Sequence, residues 1–277
     1  MSVMPDILRS CSLLFIALLN TTLSLLLRSS PVSFVSNFQS VFQNRPTFNQ
    51  SLNGWNVSAA TTMAFMFSGA QAFNGEVTSW DVSVVQDMQK LFLNARAFDQ
   101  TIGNWDVSEV TTMAGMFTGN LGSTSFNQNL NRWNVSKVES MQYMFKEATS
   151  FNENLNNWDV SKVTSMYELF RLAKSFNQNL NSWDVAKVTD TEKMFRGAFS
   201  FNENLNSWDV SNSGSMYEMF GFATSFNSNL NSWVTSKVTT MKSMFNGATS
   251  FNQNLHSWNM TRVTDTSNLF NGASNFS

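Results

Sequence analysis

Apolar residues recur along this chain at one fixed spacing. Nine tryptophans stand 25 residues apart, with a single gap of 28, and a phenylalanine lies seven residues before each of them. These tryptophans are Trp55, Trp80, Trp105, Trp133, Trp158, Trp183, Trp208, Trp233 and Trp258. A fixed period of roughly 20 to 50 residues is the signature of a solenoid or a similar array. The pattern therefore predicts one repeat array rather than one or two ordinary domains.

The repeat unit has a well-defined consensus. With the phenylalanine counted as position 1, it reads FNQNLNSWDVSKVTSMxxMFxGAxS. Units begin at Phe48, Phe73, Phe98, Phe126, Phe151, Phe176, Phe201, Phe226 and Phe251, and a tenth opens at Phe276. Residues 48–277 are thus predicted to form the repeat solenoid. Residues 35–47 match the second half of a unit, so we predict an N-terminal half-repeat cap over residues 31–47.

Two periodicities alternate inside each unit. Positions 8 to 11, as in Trp158 to Ser161, alternate apolar and polar residues, which predicts a short half-buried β-strand. Apolar residues then recur at positions 13, 16, 19, 20 and 23, the spacing of an amphipathic helix. Ser or Thr at positions 14 and 15 would cap the start of that helix, and Gly at position 22 would suit its exit. Each unit is therefore predicted to run strand, short helix, polar return.

One such unit cannot bury its own apolar residues, so the units must stack. Stacking places each residue type against its copies in neighbouring units, and the Trp and Met columns are predicted to be core. The Asn columns at positions 2, 4 and 6 should form side-chain amide ladders that satisfy backbone groups. The predicted fold is an α/β, leucine-rich-repeat-like solenoid with parallel strands on one face, short helices on the other, and nine 25-residue repeats.

The composition excludes several classes of function. The chain has one His, His256, and one Cys, Cys11, which removes paired-imidazole, thiolate-cluster and disulfide chemistry. A formal charge of -2 argues against nucleic acid as a partner. Columns of identical residues also do not supply the unlike residues of a catalytic site. We expect no enzyme activity, no cofactor and no metal.

The N-terminal 30 residues differ from the repeats. Leu13 to Leu27 is mostly apolar and is flanked by Arg9 and Arg28. This stretch is short for a membrane-spanning helix, so residues 1–30 are interpreted as a signal peptide or, alternatively, a signal anchor. The protein is then expected to be secreted or on the cell surface, with membrane contact only through this segment if it stays uncleaved.

Two blocks of the repeat carry a resemblance to a known family. FNQNLNSWDVSKV at 176–188 and the M-x-x-MF-x-GA-x-SFN block at 241–252 resemble the BspA-like leucine-rich-repeat surface proteins, whose 25- or 26-residue unit is also described as a mycoplasma lipoprotein repeat. The resemblance implies a surface or secreted solenoid for adhesion and recognition, without a known catalytic site. The expected partner is a protein or glycan on a cell or matrix surface.

The polar positions 7, 9 and 11 of the predicted sheet face form the candidate partner-binding site. Its members are Asp81, Asp106, Asn134, Asp159, Asp184, Asp209, Ser136, Ser161, Ser211 and Arg132. Stacked carboxylates repel each other, so the position-9 column is expected either to be offset by the Lys and Arg of position 12 or to bind cations such as calcium. The first explanation is favoured because no glycine-rich calcium turn occurs.

Several further features complete the sequence-based picture. N-glycosylation sequons, relevant only in a eukaryotic source, occur at Asn49, Asn56, Asn134, Asn259 and Asn275. The three-residue expansion around Asn120 to Thr124 should bulge from one edge. Phe276 and Ser277 open a unit without a cap, which suggests either a truncated gene product or self-association at that end. The alternative to adhesion is a purely structural spacer or a wall-, mineral- or ice-interacting protein.

Overall fold

Hydrogen bonds between consecutive units, rather than within them, define the architecture. The computed structural model describes residues 34–119 and 124–277, and within these ranges there is no α-helix and no strand longer than one residue. Nine single-residue parallel bridges join position 15 of each unit to position 15 of the next, from Asn37↔Thr62 to Thr240↔Asp265. The predicted α/β solenoid of strands and helices is therefore wrong. The chain is a stack of coils, each built from turns.

The segment predicted to be helical pairs with the neighbouring coil instead. The N–H groups of Met166, Glu168 and Phe170 donate to carbonyls of the next coil at 2.9, 3.0 and 2.9 Å. The intervening residues Leu169 and Arg171 donate to the carbonyl three residues back, at 3.1 and 3.2 Å. Alternate residues thus serve the stack and the turn, and no N–H is left for the i to i−4 bonds of an α-helix.

Left-handed backbone at positions 18 and 22 makes these turns possible. Glu168 has a φ of 53° and Leu172 a φ of 59°, each at the third residue of a four-residue turn, as a type II turn requires. Gly197 takes the same conformation at position 22, with a φ of 69°. A Cβ there would lie 2.6 Å from the Leu172 Cδ2 atom. The Gly signal marks a real left-handed position, but it belongs to a turn and not to a helix end.

The spacing of the coils explains why helices are absent. The rings of Phe145 and Phe170 lie 5.6 Å apart, and the indoles of Trp158 and Trp183 lie 6.4 Å apart. An α-helix with its side chains is roughly 10 Å across. One helix per coil would force the coils apart on that side and break the inter-coil hydrogen bonds. A flat coil of turns keeps the separation of neighbouring coils similar at both the Phe and the Trp columns.

Stacked aromatic columns fill the centre of the coils. The Phe170 ring stacks at 4.0 Å on Phe176, which opens the following unit, and Phe176 stacks on Phe201 of the unit after that at 6.0 Å. The tryptophans from Trp80 to Trp258 are all buried, with no more than 7% of their surface exposed. The prediction that the Trp column is core is confirmed.

Each of these indoles also ties its coil to the one before. Trp183 Nε1 donates to the Leu155 carbonyl of the preceding coil at 3.0 Å, and the same bond recurs from Trp80 to Trp258. This bond explains why position 8 is Trp in every unit, although Phe fills much of the rest of the core. An apolar pattern does not reveal it, because the pattern treats Trp as another hydrophobic residue.

The Asn columns divide into two roles. The Asn152 Oδ1 atom at position 2 accepts from the Asn177 N–H of the next coil at 2.8 Å. The Asn131 Oδ1 atom at position 6 likewise accepts from the Asn157 N–H at 3.2 Å. Position 4 instead serves its own coil, since the Asn154 Oδ1 atom accepts from the Asn156 N–H at 2.7 Å. The predicted ladders are confirmed for positions 2 and 6, and the prediction is wrong for position 4.

The first described residues stack on the first full unit. Phe38 and Phe42 are buried, and the Phe38 N–H donates to the Thr62 carbonyl at 3.0 Å. The predicted signal segment and residues 120–123 of the predicted bulge lie outside the described residues. Over residues 34–119 and 124–277, no helix is long and apolar enough to cross a membrane.

The indole bond can be tested by replacing Trp183 with Phe. Trp183→Phe removes one inter-coil hydrogen bond and part of the core volume, so we expect a loss of about 1–3 kcal/mol in the free energy of unfolding. Trp55→Phe is the matched control, because Trp55 is partly exposed and its indole N–H has no partner among the described residues. Urea unfolding measures both. Equal losses for the two variants would contradict a role for the indole bond.

Candidate functional site

The predicted partner-binding residues lie on one exposed surface. Asp81, Asp106, Asn134, Asp159, Asp184 and Asp209 form an exposed column at position 9. Beside it, Arg132 at position 7 is exposed, and Ser136, Ser161 and Ser211 at position 11 are half-buried. Val234 interrupts the position-9 column and is 54% exposed. The stack thus brings these residues together, although the surface carrying them is made of turns and not of a sheet.

Each Asp or Asn side chain at position 9 closes a local turn. The Oδ1 atom of Asp159 accepts the Ser161 N–H at 3.0 Å, and the Oδ1 atom of Asn134 accepts the Ser136 N–H at 3.2 Å. These are Asx-type turns, in which an Asp or Asn side chain bonds the backbone two residues on. Asp and Asn can replace each other along the column because both residues provide the same acceptor oxygen.

Hydrogen bonds and nearby lysines keep Asp159 ionised. The side chain and backbone N–H of Ser161 lower the pKa of the Asp159 carboxyl below its ordinary value, and Lys162 and Lys187 lower it further, while slight burial opposes them. No position-9 carboxylate makes an ion pair within 4 Å in the described part of the chain, so these lysines act through their field. The only ion pair that joins two position-12 side chains there is Lys137 with Glu109, at 2.7 Å.

The position-9 column does not assemble a multi-carboxylate metal site. Residues 34–119 and 124–277 contain no group of three or more His, Cys, Asp or Glu side chains that could hold a metal ion. The Asp159 Oδ2 atom makes no hydrogen bond to any described residue, whereas its Oδ1 atom is committed to the turn. One oxygen of each carboxylate therefore belongs to the fold and the other faces outward.

A second polar cluster lies at positions 17, 18 and 21, in the segment predicted to be helical. We call it the Glu168 cluster and define it as Tyr143, Lys146, Tyr167, Glu168, Arg171 and Lys193. The Glu168 carboxylate is 5% exposed and lies 2.8 Å from the Lys146 Nζ atom, 3.1 Å from an Arg171 guanidinium nitrogen and 3.7 Å from the Lys193 Nζ atom. One buried carboxylate thus holds three cations from three consecutive coils.

Tyrosines frame this network. All three tyrosines of the chain stand at position 17 or 18, in the units that begin at 126, 151 and 201. Tyr143 and Tyr167 meet edge to face at 5.2 Å, and the Lys193 Nζ atom lies 5.6 Å from the Tyr167 ring and 5.1 Å from the Tyr217 ring. Such cation–π contacts orient the lysine between two rings. The sequence alone could have indicated this cluster, because tyrosine is absent from the consensus and occurs only at two adjacent repeat positions.

The surroundings of Glu168 fix the charge state of the cluster. Burial alone would raise the pKa of Glu168, but the hydrogen bond from Lys146 and the charges of Arg171 and Lys146 outweigh it and hold that pKa below its ordinary value. Burial raises the pKa of Tyr143 and of Tyr167. At neutral pH the carboxylate is therefore ionised and both phenols are protonated.

The sequon asparagines and His256 already serve the coil. Asn49, Asn56, Asn134, Asn259 and Asn275 are all exposed. Their side chains include turn acceptors, as in Asn56, whose Oδ1 atom accepts the Ser58 N–H at 3.1 Å. The His256 N–H donates to the Asn254 Oδ1 atom at 2.8 Å, in the same way as Asn residues at position 6. His256 thus occupies an ordinary place in the repeat.

A cavity of about 560 Å³ lies at the last coil. Its lining includes Leu255, Trp258, Phe270 and Phe276, which belong to the same columns that every earlier coil packs against its neighbour. The lining is therefore the open surface of the core columns, and it contains no cluster of charged side chains.

The repeats of this chain match a known protein family. The chain matches the family described as "Mycoplasma protein of unknown function, DUF285" over residues 21–122, 120–204 and 177–277. The chain belongs to this family. The matches overlap and reach to the C-terminal residue, so the family pattern is the repeat itself.

One solved structure is similar to this chain. A leucine-rich repeat protein from Bacteroides ovatus ATCC 8483 is similar at 12% identity over 80% of this chain and 76% of that chain, with a TM-score of 0.25. So low a score carries no argument about the fold. No curated protein matches the chain.

The role of position 9 is tested by two substitutions of Asp159. Asp159→Asn keeps the Oδ1 acceptor and should change the free energy of unfolding by less than about 0.5 kcal/mol, whereas Asp159→Ala removes the acceptor and should cost about 1 kcal/mol. Urea unfolding of the two variants and the parent separates these values. Equal destabilisation by Asn and Ala would show that charge, and not the turn acceptor, stabilises the coil.

The Glu168 cluster predicts a pH-dependent contribution to stability. Because the pKa of Glu168 is lowered by folding, its contribution is present above the unfolded-state pKa of about 4.3 and is lost as the pH falls through the lower folded value. Glu168→Gln should cost about 1–3 kcal/mol at pH 7, and the difference from the parent should shrink below about pH 4. Urea unfolding across this pH range provides the measurement.

Glu109→Gln is the matched control for Glu168→Gln. Glu109 pairs with one exposed lysine, Lys137, so its loss should cost less than about 1 kcal/mol at neutral pH. A Glu168→Gln penalty no larger than that of Glu109→Gln would argue against the three-cation network.

Proposed function

We propose that this protein is a non-catalytic, secreted or cell-surface repeat protein that binds a protein or glycan partner, in the manner of the BspA-like surface proteins. The observation that supports the proposal is the exposed position-9 column. It presents carboxylates such as Asp159, Asp184 and Asp209 at one coil spacing, with one oxygen of each facing outward. The partner would offer cations or hydrogen-bond donors at several places along its length.

The scaffold suits such binding because it is already ordered. Backbone bonds join neighbouring coils, and indole bonds and the Asn acceptors of positions 2 and 6 add to them along most of the stack. A pre-organised surface loses little conformational entropy when a partner binds. Contacts to single carboxylates are weak, and affinity would come from several coils acting together.

A structural role is the second candidate. The same regular column would suit a mineral or ice surface, or the coil stack could serve as an inert spacer. These possibilities differ from adhesion in what they bind: a lattice in the first case and nothing in the second.

The test uses a column variant that keeps every turn. Asp159→Asn, Asp184→Asn and Asp209→Asn together retain the Oδ1 acceptors, since Asn134 and Asn259 occupy the same column naturally. The full chain is applied to a glycan array, purified matrix proteins and cultured cells. We expect the triple variant to bind any partner of the parent at least about tenfold more weakly, because three charges are lost.

The controls separate adhesion from its alternatives. Glu109→Gln removes an exposed charge at position 12 and should leave binding unchanged. Absence of parental binding to every glycan, matrix protein and cell would overturn the adhesion proposal and favour a spacer. Adsorption to mineral or ice that the triple variant loses would favour the lattice-binding candidate.

A further inference from the structure

We propose that a second copy of this chain docks on the turn face, forming a weak two-fold dimer. The turn face is the outward side of positions 15, 17, 18, 21, 22 and 24 in the four units between residues 126 and 225. It includes the Glu168 cluster. This proposal concerns a different surface from the position-9 column and does not depend on the proposed adhesion.

The turn face carries two exposed aromatic residues that the fold does not require. Gly or a polar residue occupies most copies of position 22, and Thr or Ser several copies of position 24, but Phe222 and Phe199 stand at these positions in adjacent coils. They are 40% and 39% exposed, among the few large hydrophobic side chains of the described residues that are open to solvent. Coils without them stack in the same way, so these rings do not serve the core.

Each of these two rings already lies beneath a cation of the same chain. The Arg196 guanidinium carbon lies 5.2 Å from the Phe222 ring centre, and the Lys174 Nζ atom lies 5.8 Å from the Phe199 ring centre. The Phe222 ring leans over Gly247 of the next coil, where a Cβ would meet it at 2.6 Å. Aromatic and Arg side chains held in place before binding are typical of the energetic centres of protein interfaces.

The charges at the positions of the turn face are balanced. Five cations and five anions stand there, so the face has no net charge, and four of the cations already pair with Glu168 or Glu218 of the same chain. The cations are Lys146, Arg171, Lys174, Lys193 and Arg196, and the anions are Glu147, Glu168, Asp190, Glu192 and Glu218. A face that contains both signs in equal number can pair with an identical face, as a two-fold interface requires.

The charges are also arranged in two strips. Position 21 carries Lys146, Arg171 and Arg196, whereas positions 17 and 18 carry the tyrosines, most of the glutamates and one cation, Lys193. A two-fold axis parallel to the stack would set the basic strip of one copy against the Tyr and Glu strip of the other. Glu192 is free for this role, since it forms no ion pair within 4 Å in the described ranges; its Oε1 atom accepts a hydrogen bond from Ser215 at 2.5 Å.

The tyrosine hydroxyls would add hydrogen bonds. Neither the Tyr143 nor the Tyr217 hydroxyl bonds to any described residue, whereas the Tyr167 hydroxyl accepts from Lys193 at 3.3 Å. Four coils about 4.8 Å apart span roughly 19 Å, so with a similar width the face covers roughly 400 Å² per copy. This area is about half of what a stable complex buries on each partner, so the dimer should be weak and dependent on concentration.

The test is sedimentation equilibrium of the full chain over micromolar to submillimolar concentrations, with variants that restore repeat residues. Phe199→Thr together with Phe222→Gly removes both exposed rings, and Gly suits the left-handed backbone at 222, where φ is 58°. We expect the parent to dimerise reversibly and the double variant to dimerise at least about tenfold more weakly. Circular dichroism and urea unfolding confirm that the double variant folds.

Val234→Asp is the matched control. It removes another exposed apolar side chain, but at position 9, where Asp is the common residue. It should leave the dimer unchanged, and added salt should weaken the parent dimer because charge pairs contribute to it. A parent that stays monomeric throughout, or a dimer lost equally in Val234→Asp, would overturn the proposal. Open-ended chains that persist in the double variant would also overturn it and place the contact at the ends of the stack.

Discussion

The fold depends on one constraint, which is the backbone hydrogen bonding between neighbouring coils. This bonding sets the coils about as far apart as neighbouring strands of a β-sheet. The N–H groups of positions 14, 16, 18, 20 and 22 bond to the adjacent coil, so no coil can be thicker than the distance that these bonds allow. This thickness excludes helices, selects turns with left-handed residues, and brings identical side chains into contact along the stack. The core is a consequence of the same geometry, because rings repeated at this distance stack face to face.

In such a stack, a residue that matches the consensus at its repeat position has a different role from one that departs from it. Residues that repeat, such as the Trp at position 8 or the Asn at position 2, satisfy the neighbouring coil and carry no information about a partner. Residues that break a column are the informative ones. Tyr167, Glu168 and Phe222 stand where most other coils have different residues, and together they give four coils a surface that the remaining coils lack. The carboxylates of the position-9 column combine both roles, since one oxygen of each accepts the turn hydrogen bond and the other faces solvent.

Much of the organisation was predictable from the sequence. The burial of Trp158 and the ladder at Asn152 follow from period and alternation, and both rest on stacking alone. The path of the chain within a unit was not predictable in this way. Val163, Met166 and Phe170 have helical spacing, but a spacing of three and four also fits successive turns that alternate inward and outward residues. Positive φ at Glu168, a residue with ordinary helix propensity, gives no sequence signal.

By itself, the sequence determined that the chain is an array, how long each unit is, which columns are apolar, and that the chain belongs to a mycoplasma repeat family of unknown function. Only the tertiary structure decided that the units are turns and not strand and helix. The reason is physical: the choice depends on the distance between neighbouring coils, which no single unit contains. The same holds for the Glu168 cluster, whose three cations come from three different coils and meet only when the stack forms.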